Sequence, residues 1–207
     1  DWAVGKMDER YMVLKDAGVR QISEFNKLTP EQLYKRFGAI TDEEKARVPK
    51  KMPSIVIIVD ELADLMMTAA KEVEAYIVRI AQKSRAVGIH IILATQRPQA
   101  TVVTGLIKSN LPARISFQVA SRMDSRIILD KTGAETLLGK GDMLYLKPGT
   151  SELVRAQGAY LDDGEIDRVV DYLKDNAQPD YHPELMQMST ISTDGIEHDE
   201  LFDEAVR

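Results

Sequence analysis

The chain has 207 residues, 44% of them hydrophobic, with three histidines and no cysteine. This much apolar material suffices for a sizeable core, while the lack of cysteine excludes a disulfide framework and a thiolate metal site. No run approaches the roughly 18 apolar residues that a membrane-spanning helix needs, so we expect no membrane contact by this chain. The net charge of −6 hides an uneven distribution, because residues 162–207 carry 14 acidic and three basic side chains.

Residues 97–131 have the opposite charge balance. They contain only two acidic residues, Asp124 and Asp130, against six basic ones: Arg97, Lys108, Arg114, Arg122, Arg126 and Lys131. A local excess of positive charge is what a surface for a polyanion requires. The segment is therefore predicted to face a polyanion, and the alternative is an ordinary solvated surface.

The first 51 residues predict one packing helix followed by a polar stretch. Apolar residues at spacings of three and four over residues 1–17 indicate an amphipathic helix that ends at Gly18. The polar stretch 26–51 contains a helix start at Thr29-Pro30-Glu31. We expect a loop or a short helical insertion there.

Residues 54–96 form the clearest pattern in the chain. The β-branched run 54–59 predicts a strand buried on both faces of a parallel sheet. Residues 62–87 have helical spacing with a stop at Gly88, and residues 89–96 predict a second buried strand. A strand, a long helix and a strand make one parallel βαβ unit, so the fold class is α/β with a mostly parallel sheet.

The rest of the chain predicts shorter elements. Residues 102–110 indicate a short helix, 114–120 a third strand and 121–129 a helix; 142–147 and 153–161 indicate a hairpin at a sheet edge. Asp162 is expected to cap a helix that ends near Asn176. We divide the chain into a domain over residues 1–178 and an acidic linker over 179–207, in which a new helix can begin at Asp199.

The first predicted strand ends in two carboxylates. In open α/β sheets ligands bind outside the carboxyl ends of the strands, where Asp60 could hold Mg²⁺ through water and Glu61 could polarise the water that attacks a γ-phosphate. The alternative is structural: Asp60 caps the following helix, and the helix dipole stabilises the negative charges of Glu61 and Asp64 near its N-terminus. The pair alone does not decide between the two.

The second predicted strand ends in Thr95 and Gln96, at the same edge. Polar side chains there could contact a nucleotide and sense whether a γ-phosphate is present. A single glutamine at a strand end is more often a surface residue. Two neighbouring strands that both end in polar groups favour the nucleotide site.

The phosphate-binding loop of such enzymes, G-x-x-x-x-G-K-[ST], does not occur in this sequence. Gly5-Lys6 and Gly139-Lys140 do not match, because neither lysine precedes serine or threonine. We therefore expect a partial nucleotide-hydrolase core that lacks its Walker A half. Alone, it should neither bind ATP tightly nor hydrolyse it.

Several segments closely resemble the motor domain of the FtsK/SpoIIIE family of DNA translocases. The resemblance covers residues 1–176 and is densest in five segments: Lys51 to Met66, Ala81 to His90, Leu93 to Pro98, Thr104 to Lys108, and Asp124 to Leu144. It implies a RecA-like P-loop NTPase fold that uses ATP and Mg²⁺. It also implies a homo-hexamer around double-stranded DNA, which it pumps during chromosome segregation at division or sporulation.

The resemblance implies roles that the residues alone do not. Arg85 would be the arginine finger that reaches a neighbour's γ-phosphate; otherwise it is a cation at a helix C-terminus. Glu61 and Gln96 would act in hydrolysis, with Asp60 and Thr95 contacting Mg²⁺ and nucleotide. Four cations would line the DNA channel: Arg97, Lys108, Arg122 and Arg126.

Members of this family also carry a membrane anchor before the motor and a winged-helix module after it. The resemblance thus implies that the chain is the cytoplasmic portion of a protein anchored in a bacterial inner membrane. Recombinase or division proteins would bind through the winged-helix module. Residues 199–207 resemble the segment that leads into that module. Two alternatives are a related HerA or conjugative-coupling ATPase and a non-enzymatic DNA-binding or assembly module. The segment Gly133-Ala134-Glu135 argues against the first.

Overall fold

Most of the predicted helices and strands begin close to where the sequence pattern places them, whereas the second, third and fifth strands end three or four residues earlier than predicted. The computed structural model describes residues 1–178, 181–182 and 184–185. Within them, the α-helices are α1 Trp2–Asp16, α2 Ile22–Phe25, α3 Pro30–Phe37, α4 Asp42–Arg47, α5 Leu62–Lys83, α6 Gly105–Asn110, α7 Arg122–Leu129 and α8 Asp163–Asn176. The strands are β1 Ile55–Val59, β2 Ile89–Leu93, β3 Arg114–Ser116, β4 Asp142–Leu146 and β5 Leu153–Gln157. Two short 3₁₀ helices cover Ser84–Val87 and Ala134–Thr136.

The predicted βαβ unit is confirmed. Strands β1 and β2 pair in parallel, with Ile55 opposite Ile89 and Val59 opposite Leu93, and α5 connects them. Gly88 ends the connection in the left-handed conformation, with φ of 69°. A Cβ at Gly88 would lie 2.6 Å from Cδ1 of Ile22, so only glycine fits this turn.

The second sheet is antiparallel, with the order β3-β4-β5. The predicted hairpin is present as β4 and β5, whose residues Asp142 and Gln157 pair. Strand β3 is shorter than the predicted 114–120, because β4 pairs with it only between Leu144 and Leu146. The chain is thus mixed α/β with a parallel strand pair, as predicted, and an antiparallel sheet beside it.

The expectation that the parallel strands are buried on both faces is wrong for the described residues. Alternate residues face a helical layer, but Val56, Ile58 and Ile92 are more than half exposed. The described part of the chain covers one face of the pair and leaves the other open. An unbroken apolar run fixes the strand, but it does not fix how many layers cover it.

Helices α1 to α3, together with Val48 just after α4, form a cluster that packs against the start of β2 and the end of α5, with Phe25, Met7 and Leu14 fully buried. Arg10 fastens α1 to the strands, because its guanidinium donates to the carbonyl of Val87 at 2.9 Å and to that of Pro53 at 2.7 Å. The predicted start of α3 is confirmed as a capping box at Thr29.

The chain divides into two compact units, residues 1–159 and 160–207. The second unit contains α8, whose predicted cap Asp162 accepts a hydrogen bond from the amide of Glu165 at 2.8 Å. The predicted linker over 179–207 and the helix at Asp199 fall on residues outside those described, apart from four positions, so the domain division stays a prediction. No helix in the described part of the chain is long and apolar enough to cross a bilayer.

Candidate nucleotide-hydrolysis site and cationic surface

The parallel pair brings the two predicted polar strand ends together. Backbone pairing continues past the strands: Ala94 donates to the carbonyl of Val59 at 2.8 Å, and Leu62 donates to that of Ala94 at 2.8 Å. This register sets Glu61 beside Thr95. The carboxyl edge of β1 and β2 is therefore one site, as the sequence predicts.

Glu61 is the most strongly hydrogen-bonded side chain at this edge. Its carboxylate accepts from the Thr95 hydroxyl at 2.5 Å, from the Gln96 amide at 2.9 Å and from the Ala63 amide at 3.0 Å. These bonds lower the pKa of Glu61, the Thr95 hydroxyl contributing most and the amides of Gln96 and Ala63 next. The group is therefore ionised near neutral pH, the form that can accept a proton.

Asp60 stands apart from this network. It is exposed, and within residues 1–178 its carboxylate makes no hydrogen bond or ion pair. The N-cap of α5 is Glu61, not Asp60, so the structural role considered for Asp60 falls to its neighbour. No three His, Asp or Glu side chains group for a metal in the described residues. A single free carboxylate suits Mg²⁺, which keeps most of its water ligands.

Thr95 and Gln96 point to different partners. The Gln96 side chain is exposed and has no hydrogen-bond partner among the described residues, so it is free to meet a ligand. The Thr95 hydroxyl is instead engaged by Glu61 and also accepts from the Arg97 amide at 3.0 Å. The sequence predicted Thr95 as a nucleotide contact and missed its bond to Glu61, although the shared strand edge was the signal for it.

Arg85 lies at the other end of the strand pair. It sits in the 3₁₀ turn that precedes β2, it is exposed, and within residues 1–178 its guanidinium has no hydrogen bond or ion pair. Five residues of β2 separate this turn from Thr95 and Gln96, which is about 16 Å of extended chain. Arg85 is therefore not part of the Glu61 site of its own chain.

The cations of residues 97–131 fall into two groups. Lys108 and Arg114 both bind Asp130, each at 2.6 Å, and Lys131 donates to the carbonyl of Ser151. Asp130 ends α7 in the left-handed conformation, with φ of 58°. All three cations are held by groups of the same fold. The sequence did not reveal Asp130 as the shared partner of Lys108 and Arg114, because a pairing across 16 or more residues leaves no local pattern.

The other cations are open to solvent. Arg122 and Arg126 lie four residues apart on one face of α7, where Arg122 is 82% exposed and 3.6 Å from Glu135. Arg97 is 55% exposed, with its guanidinium 3.8 Å from the Asp64 carboxylate. Of the four predicted DNA contacts, three are thus exposed, whereas Lys108 is 22% exposed and ion-paired.

A βαβ unit whose strands end in polar groups is typical of ATPase motor domains. Solved structures that superpose on this chain belong to that class. The pCW3 conjugation coupling protein TcpA, solved as a monomer with ATPγS, superposes with a TM-score of 0.61 at 30% identity over 83% of this chain and 46% of that one. The type VII secretion ATPase EccC of Thermomonospora curvata gives a TM-score of 0.64 at 25% identity over 88% of this chain and 20% of that one.

Sequence relatives narrow the class. The FtsK/SpoIIIE family model matches residues 1–100. DNA translocase FtsK 2 of Ralstonia nicotianae is 50% identical over 94% of the chain, and DNA translocase FtsK 2 of Neisseria meningitidis is 48% identical over all of it. The chain belongs to the FtsK/SpoIIIE family. It spans 26% and 21% of the length of these two relatives.

Proposed function

We propose that this chain supplies the hydrolysis edge and DNA-contacting surface of an ATP-driven motor that moves double-stranded DNA. The observation that carries the proposal is the pair at the end of β1: Asp60 is exposed and has no partner within residues 1–178, while the adjacent Glu61 is an ordered, ionised carboxylate. About half of the sequence is identical to proteins named DNA translocases, which favours this function over that of a conjugative-coupling ATPase or a non-enzymatic module.

The residues at the edge divide the work of hydrolysis. Asp60 would hold Mg²⁺ through water, and the ion would neutralise charge on the phosphates. Glu61 would accept a proton from the attacking water. Gln96, whose side chain has no hydrogen-bond partner among the described residues, would contact the γ-phosphate region. Thr95 lies at the same strand edge, where a nucleotide would bind, but its hydroxyl donates to Glu61.

Arg85 would act on a neighbouring subunit. Its position at the opposite end of β2, and a guanidinium without a partner in the described part of the chain, suit a group whose partner belongs to another subunit. An arginine that reaches a neighbour's site requires an oligomer, and we propose the homo-hexameric ring that the family resemblance implies. The chain would then form a cytoplasmic part of a membrane-anchored protein.

DNA would meet the exposed cations. Arg97, Arg122 and Arg126 would contact phosphates rather than bases, because a motor that moves along any sequence cannot depend on base contacts. Lys108 was predicted together with these arginines, but Asp130 already neutralises much of its charge. We expect it to contribute less than the three arginines.

The test measures ATP hydrolysis in what we call the full-length motor, meaning this chain joined to the phosphate-binding loop that hydrolysis requires. We expect Mg²⁺-dependent hydrolysis that duplex DNA stimulates. Asp60→Asn should keep nucleotide binding and lose hydrolysis, while the exposed Asp16→Asn on α1 should change neither. Normal turnover in Asp60→Asn would refute the assignment of this edge.

A further inference from the structure

One hydroxyl joins the carboxylate of Glu61 to the start of the cationic segment. The Thr95 oxygen donates its proton to Glu61 at 2.5 Å and accepts the Arg97 amide proton at 3.0 Å. The other oxygen of the Glu61 carboxylate accepts from the Gln96 amide at 2.9 Å. Thr95 and Gln96 thus hold the two oxygens of the predicted base, and Arg97 is bonded to Thr95.

The Arg97 side chain makes a second connection to the same element. Its guanidinium lies 3.8 Å from the Asp64 carboxylate and 3.6 Å from the sulfur of Met67, both in the first turns of α5. Glu61 is the N-cap of that helix. Arg97 is therefore tied to the Glu61 element through its backbone, by way of Thr95, and through its side chain.

The docked carboxylate is a poor proton acceptor. Three donors share its two oxygens, and each bond favours the ionised, docked form over a form that takes up a proton. A fourth lone-pair site remains for a water beside Asp60, but a proton taken from that water would weaken the three bonds. The exposed Arg97 side chain is meanwhile weakly held, because an exposed ion pair contributes little.

We infer that Thr95 is a positioning residue that keeps Glu61 docked until Arg97 binds a DNA phosphate. Movement of Arg97 toward the phosphate withdraws its amide from the Thr95 hydroxyl, the hydroxyl leaves Glu61, and the carboxylate turns to the attacking water. The inference rests on the proposed function and adds to it the route by which DNA reaches the hydrolysis edge.

The test compares two substitutions of one side chain in the full-length motor. Thr95→Val keeps the shape and removes the hydroxyl, whereas Thr95→Ser keeps the hydroxyl. In Thr95→Val, hydrolysis without DNA should rise by about tenfold, as expected when a carboxylate loses one hydrogen bond, and the stimulation by duplex DNA should shrink toward one. Thr95→Ser should behave as the wild type does.

Other outcomes overturn the inference. If Thr95→Val lowers the rates with and without DNA by the same factor, the hydroxyl orients an active Glu61 and does not restrain it. Rates in Thr95→Val that equal those of the wild type, with and without DNA, would show that Thr95 takes no part. In both cases a wild-type motor that DNA stimulates leaves the proposed function intact, whereas a wild-type motor without ATP hydrolysis defeats the function and the inference together.

A spectroscopic measurement on the 207-residue chain tests the docked geometry without turnover. The backbone amide of Gln96 donates to Glu61, so its NMR shift should move in Thr95→Val and in Glu61→Gln but not in Thr95→Ser. Amides of α3 serve as the control for folding, and Thr95→Ala replaces the valine variant if that one fails to fold. A Gln96 amide unmoved by loss of the hydroxyl would contradict the docked state.

Discussion

The carboxyl edge of the parallel strands and the exposed cations differ in how their polar groups are satisfied. At the edge, Glu61 has three donors from its own chain. Arg85 has no partner within residues 1–178, and Arg122 has one that is 3.6 Å away and largely open to water. The contrast teaches that the proposed base is held in place by its own chain, while the cations proposed to act on a neighbour or on DNA are left available.

The strongest test of this contrast is Arg85→Ala. We expect ATP hydrolysis by the full-length motor to fall by about 10³ to 10⁵, the contribution of an arginine finger in related enzymes. Mixing this variant with Glu61→Gln should restore part of the activity, because a hybrid ring contains sites with an intact base and an intact neighbouring arginine. Turnover is measured per folded ring.

Arg79→Ala is the matched control, since Arg79 lies in α5 and its one ion pair within residues 1–178 is an exposed pair with Asp8. It should change turnover little. If Arg85→Ala instead lowered stability and left turnover unchanged, Arg85 would belong to the fold, and the contrast would fail at its clearest example.

Loss of the base should have the next largest effect. Glu61→Gln removes the proton acceptor and should lower hydrolysis by about 10² to 10⁴, while ATP and DNA remain bound. Rapid-mix hydrolysis and filter binding measure the two properties. The exposed Glu72→Gln on the same helix should be neutral, and a normal rate in Glu61→Gln would place the base elsewhere.

The effect of each cation on DNA binding should depend on the ion pair that it already makes. Arg122→Gln and Arg126→Gln should each lower the salt-dependence slope of duplex binding by about one unit per subunit that contacts DNA, equally on all sequences. Lys108→Gln should change it less, because Asp130 holds that ammonium at 2.6 Å. Equal slopes for the three variants would mean that the Lys108 pair opens on DNA, and an unchanged slope in all would remove this surface from the DNA site.

The smallest predicted effect concerns stability. Asp142 is 4% exposed and accepts from Arg155 at 2.8 and 3.0 Å, and Arg155, followed by the amide of Leu138, lowers its pKa from 3.8 to about 2. Because the folded pKa is depressed, this stabilisation is present above about pH 4 and is lost as the pH falls toward 2.

Urea unfolding of the chain between pH 5 and pH 2.5 measures this loss. The free energy of unfolding should decline less steeply with falling pH in Asp142→Asn than in the wild type. The exposed Asp171→Asn should follow the wild type. Parallel curves for the wild type and Asp142→Asn would show that the carboxylate gains nothing from Arg155 in the folded state.

Local patterns predicted the elements well and their surroundings poorly. Gly88 and Asp162 mark helix ends through backbone rules that act within a few residues, and both were identified from the sequence. The exposure of Ile58 was not, because hydrophobic runs do not show how many layers cover a sheet. The pairing of Lys108 with Asp130 joins residues 22 apart, which no periodicity encodes.

The candidate site shows the same limit. Asp60, Glu61, Thr95 and Gln96 were predicted at one edge because parallel strands bring their carboxyl ends together. Which of them caps α5, and which hydroxyl binds Glu61, depends on side-chain directions at the end of the strand pair. Those directions follow from the register of β1 and β2, which the sequence does not specify.

The central claim is that hydrolysis at the Glu61 edge drives movement of duplex DNA, and triplex displacement by the full-length motor tests it most directly. Wild-type protein with ATP and Mg²⁺ should displace a third strand from duplex DNA. Glu61→Gln should bind the same DNA and ATP and displace nothing, whereas Glu72→Gln should displace normally. Displacement by Glu61→Gln at the wild-type rate would contradict the account.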